Sequence, residues 1–139
     1  MSLDLPGLLV STAWLEANLG HPDLRVLDAT VHLHPLPGGD VRMVSGRADY
    51  DAGHIPGAAF ADLIHELSDP ESPLRFTLPS PERFAENIGR LGVGNEHAVV
   101  VYSGGSMSWA PRLWLMLQAF GFDRVAVLDF GQLVAEGTP

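Results

Sequence analysis

His97-Ala98-Val99-Val100-Val101-Tyr102 runs directly into Ser103-Gly104-Gly105-Ser106-Met107-Ser108, and an amphipathic stretch from Trp109 to Phe120 follows. The apolar run reads as a strand, the small residues as a tight loop, and the stretch after them as a helix. A loop placed this way can point several backbone N–H groups at one spot, where helix polarity also favours an anion.

The same alternation extends outward on both sides. Ser11 or Thr12 can cap a helix that carries Trp14, Leu15 and Leu19, runs to about Asn18 and stops at Gly20. Leu24 to Ala29 reads as a buried strand centred on Val26 and Leu27, with Asp28 at its end. Thr30 to Ala52 reads as loop, being broken by Pro35, Pro37, Gly38, Gly39 and Gly46. Gly53 to Phe60 follows as a sharp entry into the sheet, because Ile55 before Pro56 is pushed to an extended conformation and Gly57 permits a turn. Asp69 to Pro73 is a second loop. Ser80-Pro81-Glu82 starts a helix with Pro81 in its first position, Phe84, Ile88 and Leu91 on one face and Gly92 at its end. Gly121 stops the helix after the central loop, Arg124 to Leu128 forms the last strand, and a short helix over Gly131 to Ala135 closes the chain. Strands separated by helices imply an α/β fold with a mostly parallel central sheet covered on both faces. With no repeat or linker in view, residues 1–139 are expected to form one domain.

Composition narrows the functions. A chain of 139 residues, 46% hydrophobic and 18% charged, suits one domain with a real core. Eight basic against 17 acidic side chains give a net charge of −9, which argues against nucleic acid or an anionic membrane as partner and slows the approach of small anions. No apolar run approaches the roughly 20 residues of a membrane span, and Met1-Ser2-Leu3-Asp4 lacks a basic leader, so a soluble, cytoplasmic protein is expected. The absence of cysteine removes disulfides, thiolate metal sites and thiol catalysis from this chain.

Taken in order, Val10-Ser11-Thr12-Ala13-Trp14-Leu15, Val26-Leu27-Asp28-Ala29, Tyr50 with Gly53-His54-Ile55-Pro56-Gly57-Ala58, Leu78-Pro79-Ser80-Pro81, Leu91-Gly92-Val93, Val99-Val100-Val101-Tyr102 and Ala110-Pro111-Arg112-Leu113-Trp114 cover nearly the whole chain. The ordered set resembles a rhodanese domain, specifically the first half of the two-domain thiosulfate and 3-mercaptopyruvate sulfurtransferases. The resemblance implies a rhodanese-like fold in which the second half carries a persulfide-forming cysteine, the first half walls the cleft, and no organic cofactor is used. It places Ser103 at the cysteine position and makes Ser103, Gly104, Gly105, Ser106, Met107 and Ser108 the equivalent of the active loop. The partner it implies is a second rhodanese domain, or further copies of this chain, with a small sulfur-containing anion as ligand. The family's two glycines after the last strand are missing here, since Phe130-Gly131 follows Leu128-Asp129 directly.

Each candidate residue has a plainer reading beside the functional one. A serine hydroxyl cannot hold a persulfide and needs a base to act as nucleophile, so Ser103 is expected to line the loop or cap the helix. Gly104 to Ser108 superficially resembles a hydrolase nucleophile elbow, but Ser108 replaces the final glycine and no histidine follows. Arg112, in the first helical turn where the macrodipole disfavours a cation, is expected to pair with an acid such as Asp28 or Asp62 rather than with substrate. The resemblance puts His54 near the interdomain cleft, with Asp40, Asp49 and Asp51 close in sequence; the plainer role is a backbone hydrogen bond that fixes the Pro56-Gly57 turn. His32 and His34 alternate as a metal pair would, but no third ligand has a suitable spacing, so no metal is assigned. Trp14, Trp109 and Trp114 read as core or interface aromatics, with Trp109 the best placed to face a partner. The chain is therefore expected to be a catalytically silent first-half domain. A stand-alone binding module for a small anion or a protein is the alternative, and single-domain serine chemistry a more distant third.

Overall fold

The computed structural model of the chain describes residues 3–39, 41–68, 78–104 and 109–129. Among them, β1 (Leu9–Ser11), β2 (Leu24–Asp28), β5 (Ala59–Phe60), β6 (Ala98–Tyr102) and β7 (Val125–Asp129) build one sheet in the order β1-β7-β6-β2-β5. Every pairing in it is parallel. The expected α/β architecture is present.

The central position of β6 explains its composition. All five of its residues are buried, because a strand flanked on both sides and covered on both faces has no polar side to offer. Val99 and Val101 enter the larger core with Phe84 and Ile88 of α3 (Pro81–Arg90) and Leu113, Met116 and Leu117 of α4 (Trp109–Ala119). Val100 and Tyr102 face the other side, where Leu15 of α1 (Thr12–Asn18), Val10, Val26 and Leu128 form a second cluster.

Local signals set the helix boundaries. Ser11 caps α1, its Oγ accepting the Trp14 amide at 3.0 Å. Ser80 caps α3 through the Arg83 amide at 3.2 Å, with Pro81 opening the helix. Gly20, Gly92 and Gly121, the three expected stops, all have positive φ.

The segment from Thr30 to Ala52 corrects the sequence expectation. It contains an antiparallel hairpin, β3 (Val31–Pro35) with β4 (Val41–Ser45), followed by α2 (Arg47–Ala52). Of the prolines and glycines that suggested a loop, Pro35 ends β3, and Pro37, Gly38 and Gly39 form the hairpin's tip. Gly46 is required at its base, where a Cβ would lie 2.6 to 2.8 Å from Thr30 Cβ, Cγ2 and the carbonyl oxygen. Strand β1 was also not expected; it has only three residues and sits at the sheet's edge. The helix expected over Gly131 to Ala135 and the turn at Phe130-Gly131 lie outside the described residues.

Candidate functional site

Because the sheet is parallel, the ends of β2, β5, β6 and β7 all lie on one edge, the side on which open α/β sheets place their sites. Ser103 and Gly104 leave β6 at that edge. Gly105, Ser106, Met107 and Ser108 lie outside the described residues.

Ser103 is almost fully buried, at 1% exposure, and its Oγ accepts the Ala110 amide at 3.3 Å. Ala110 is in the first turn of α4, so the hydroxyl satisfies one of the amides a helix N-terminus leaves open. This is the capping role read from the sequence. The Gly104 amide donates to Thr30 Oγ1 at 2.9 Å, and Thr30 Oγ1 donates in turn to Asp28 Oδ1 at 2.6 Å. Two amides that could have faced an anion are thus bonded to side chains of the chain itself.

Thr30 is the hub that sequence reasoning missed. Its amide also reaches Asp28 Oδ1, at 2.9 Å, and its carbonyl accepts the Gly46 amide at 2.8 Å. The available signal was Asp28-Ala29-Thr30 at a strand end, since an aspartate there readily accepts the amide two residues on. Tyr102 joins the same network. Its ring oxygen accepts the Ile55 amide at 3.2 Å, and burial, together with the charge and hydrogen bond of Asp28, pushes its pKa up to about 12.

His54 stands on this edge, since the residue after it contacts Tyr102 and Tyr102 precedes Ser103. The histidine is exposed, bonds through Nδ1 to the Tyr50 carbonyl at 2.8 Å, and stacks on the Tyr50 ring with centroids 3.9 Å apart. The Tyr50 hydroxyl donates to the Ala58 carbonyl at 2.5 Å, and the Ala58 amide closes the turn on Ile55. His54 makes the backbone bond that the plainer reading expected, to Tyr50, and it is Tyr50 that reaches the Pro56-Gly57 turn, through Ala58. Of the acids near it in sequence, Asp51 pairs with Arg47 at 3.3 Å and Asp49 contacts His32; Asp40 lies outside the described residues.

Arg112 lines a pocket of about 250 Å³ with Leu78, Leu115, Met116 and Ala119, and burial lowers its pKa. The acids proposed for it have nearer partners: Asp28 bonds Thr30, and Asp62 accepts the Ile64 and His65 amides and contacts the His65 ring. Trp114 is a core aromatic whose Nε1 donates to the Val125 carbonyl, Trp14 packs on the second core cluster, and Trp109 is half-buried against the first. His32 and His34 lie on β3 rather than in a loop. Among the described residues no three metal-ligating groups stand together, and no helix is long and apolar enough to cross a membrane.

Comparison with known proteins agrees with this arrangement. The model of the rhodanese-like domain matches residues 11–132. The thiosulfate/3-mercaptopyruvate sulfurtransferase 2 of Arabidopsis thaliana is 41% identical over 123 residues, which are 88% of this chain and 34% of the relative. The thiosulfate sulfurtransferase of Cricetulus griseus is 41% identical over 94% of this chain and 44% of its own length. The crystal structure of SseA from Escherichia coli, a 3-mercaptopyruvate sulfotransferase, superposes with a TM-score of 0.72 at 38% identity, over 87% of this chain and 44% of that one. The chain spans less than half the length of these relatives. With a strand, loop and helix of the right order around a parallel sheet, and a family match over most of its length, this chain belongs to the rhodanese-like domain family and is homologous to the N-terminal half of two-domain thiosulfate/3-mercaptopyruvate sulfurtransferases.

Proposed function

We propose that this chain is the catalytically silent, scaffold-type unit of a cytoplasmic sulfurtransferase, one rhodanese-like domain that walls the cleft of a second, cysteine-bearing rhodanese domain. The observation that carries the reading is Ser103, a buried hydroxyl committed to capping α4 at the position where the family's active half has its nucleophile.

The chemistry explains why the exchange matters. In sulfur transfer from thiosulfate, a cysteine thiolate attacks the outer sulfur, the S–S bond breaks, and sulfite leaves with its electron pair. The resulting persulfide then gives its outer sulfur to an acceptor such as cyanide, which forms thiocyanate and returns the thiolate. A serine alkoxide is not available at neutral pH without a neighbouring base, and an oxygen nucleophile cannot form the persulfide. The bonded amides of Gly104 and Ala110 weigh against the alternative, a stand-alone module that cradles an anion in this loop. The contacts of Asp28, Thr30 and Tyr102 suit a rigid wall.

The test is sulfur transfer to cyanide by the purified chain with thiosulfate and, separately, with 3-mercaptopyruvate. The expected result is no turnover above background with either donor. Ser103→Cys is expected to remain below about one hundredth of an active relative's rate, because position 103 is almost fully buried, which raises the pKa of a thiol there and keeps a donor anion from its sulfur. Enzymatic turnover by the unmodified chain would overturn the proposal.

A further inference from the structure

The edge of the sheet opposite Ser103 carries a concavity of its own. There the chain leaves α3 at Gly92 and α4 at Gly121, both with positive φ, and turns into β6 and β7. The Phe122 amide bonds back to the Leu117 carbonyl at 2.8 Å, which holds Phe120 and Phe122 on either side of Gly121. Between these turns and one side of α3 lies a pocket of about 300 Å³. Its floor is apolar and buried, formed by Phe84, Ile88, Val93 and Leu117. The half-buried rings of Phe120 and Phe122 wall it, and Phe120 stacks on Phe84 with centroids 4.5 Å apart. Its rim is exposed, with Pro81 and Ala85 on α3 and Asn95 in the loop before β6.

We propose that this pocket binds a small, neutral aromatic molecule with one N–H or O–H group, of the size and kind of indole.

The lining selects the ligand class. No lining residue carries a charge, in a chain with 17 acidic and 8 basic side chains. An ionised ligand would lose hydration there without gaining a counter-charge, so a neutral one is favoured. Three phenyl rings prefer a flat ring to an alkyl chain, because edge-to-face and offset-stacked contacts add to the gain from burial. A dry cavity of about 150 Å³ accepts benzene, and this pocket has room for a bicyclic ring. Gly94 is already engaged: its amide donates to His97 Nδ1 at 2.7 Å, and its carbonyl accepts the His97 amide at 3.1 Å. Asn95 is the polar side chain of the lining, and its amide group can bond one N–H or O–H at the mouth. The pocket lies at the N-terminal ends of β6 and β7, away from Ser103. Binding there does not depend on whether the chain serves as a scaffold.

Titration of the full chain with indole, followed by amide and methyl NMR, tests the site. The expected result is a set of shifts centred on Ile88, Val93 and Leu117 that saturates with a Kd of about 0.1–1 mM. Indole-3-acetate, the same ring with a carboxylate, should bind at least about tenfold more weakly. Ala85→Phe sets a phenyl group at the rim and should weaken indole at least about tenfold, and Asn95→Ala about threefold. Both positions are exposed, and far-UV circular dichroism checks that the variants keep the fold. The comparison of indole with its carboxylate needs only the parent chain. The proposal is overturned by the absence of shifts at about 5 mM indole, or by shifts centred instead on the exposed Leu8, Leu33 or Leu115. Equal binding of indole-3-acetate, or folded variants that bind indole like the parent, would also overturn it.

Discussion

Tyr102 shows how one residue can register the integrity of the whole edge. Its hydroxyl lies between the Ile55 amide and the Asp28 carboxylate, and burial leads the causes that raise its pKa from 10.0 to about 12. Raising the pKa of an acid favours its protonated form in the native state. In the unfolded chain the phenol loses its proton near pH 10, while the native chain still holds it. Stability from this group is therefore complete below pH 10 and is lost as pH rises from 10 towards about 12. The profile is unusually easy to read, because all eight basic side chains are arginine and the chain has only two tyrosines. Urea unfolding at a series of alkaline pH values should show this decline, and Tyr102→Phe should flatten it. An unchanged slope in the variant would mean that Tyr102 does not report the network.

At the scale of elements, legibility followed the range of the forces involved. The helices α1, α3 and α4 could be placed from Ser11, Pro81 and the run after Ser108, because caps and helical periodicity are local. The same holds for β2, β6 and β7, whose apolar runs are long. β1 was not legible, since three residues have no period and owe their strand to pairing with β7. The hairpin was hidden for a related reason: Val31 to Pro35 alternates as a strand should, but the turn residues around it dominate any local reading. The site divided similarly. The helix-capping role of Ser103 could be inferred from its place in the chain, whereas the bond from Gly104 to Thr30 spans 74 residues and depends on β2 and β6 being neighbours. The contact at Gly46 gives a direct test of that long-range packing. Gly46→Ala places a methyl group within 2.6 Å of Thr30, including 2.8 Å from its backbone oxygen, and should destabilise the fold by about 1–3 kcal/mol. Gly89→Ala in α3 meets no atom within 4 Å and should stabilise it by about 0.5–1 kcal/mol. Chemical denaturation of the two variants separates a packing requirement from the general cost of glycine; equal effects would dismiss the Thr30 contact as a constraint.

For the whole molecule, charge and exposed apolar surface pull association in opposite directions. Leu8, Leu9, Leu33, Leu36, Leu78 and Leu115 are large side chains left at least 41% exposed, and on α4 the outward positions Pro111, Leu115 and Ala119 follow one another every four residues without a charge. A unit that walls another domain's cleft should expose apolar surface of this kind when purified alone. Two copies meeting through it bring together two bodies of net charge −9, so repulsion limits the contact at low ionic strength. Salt shortens the range of that repulsion, from a Debye length of about 10 Å at 0.1 M to about 3 Å at 1 M, while leaving apolar attraction intact or stronger. Sedimentation velocity of the 14.9 kDa chain should therefore show a weak self-association that grows as sodium chloride is raised at neutral pH. Association that weakens with salt would instead indicate an interface held by opposite charges. A strict monomer under all conditions would count against the scaffold reading, because that reading requires a surface that another domain normally covers.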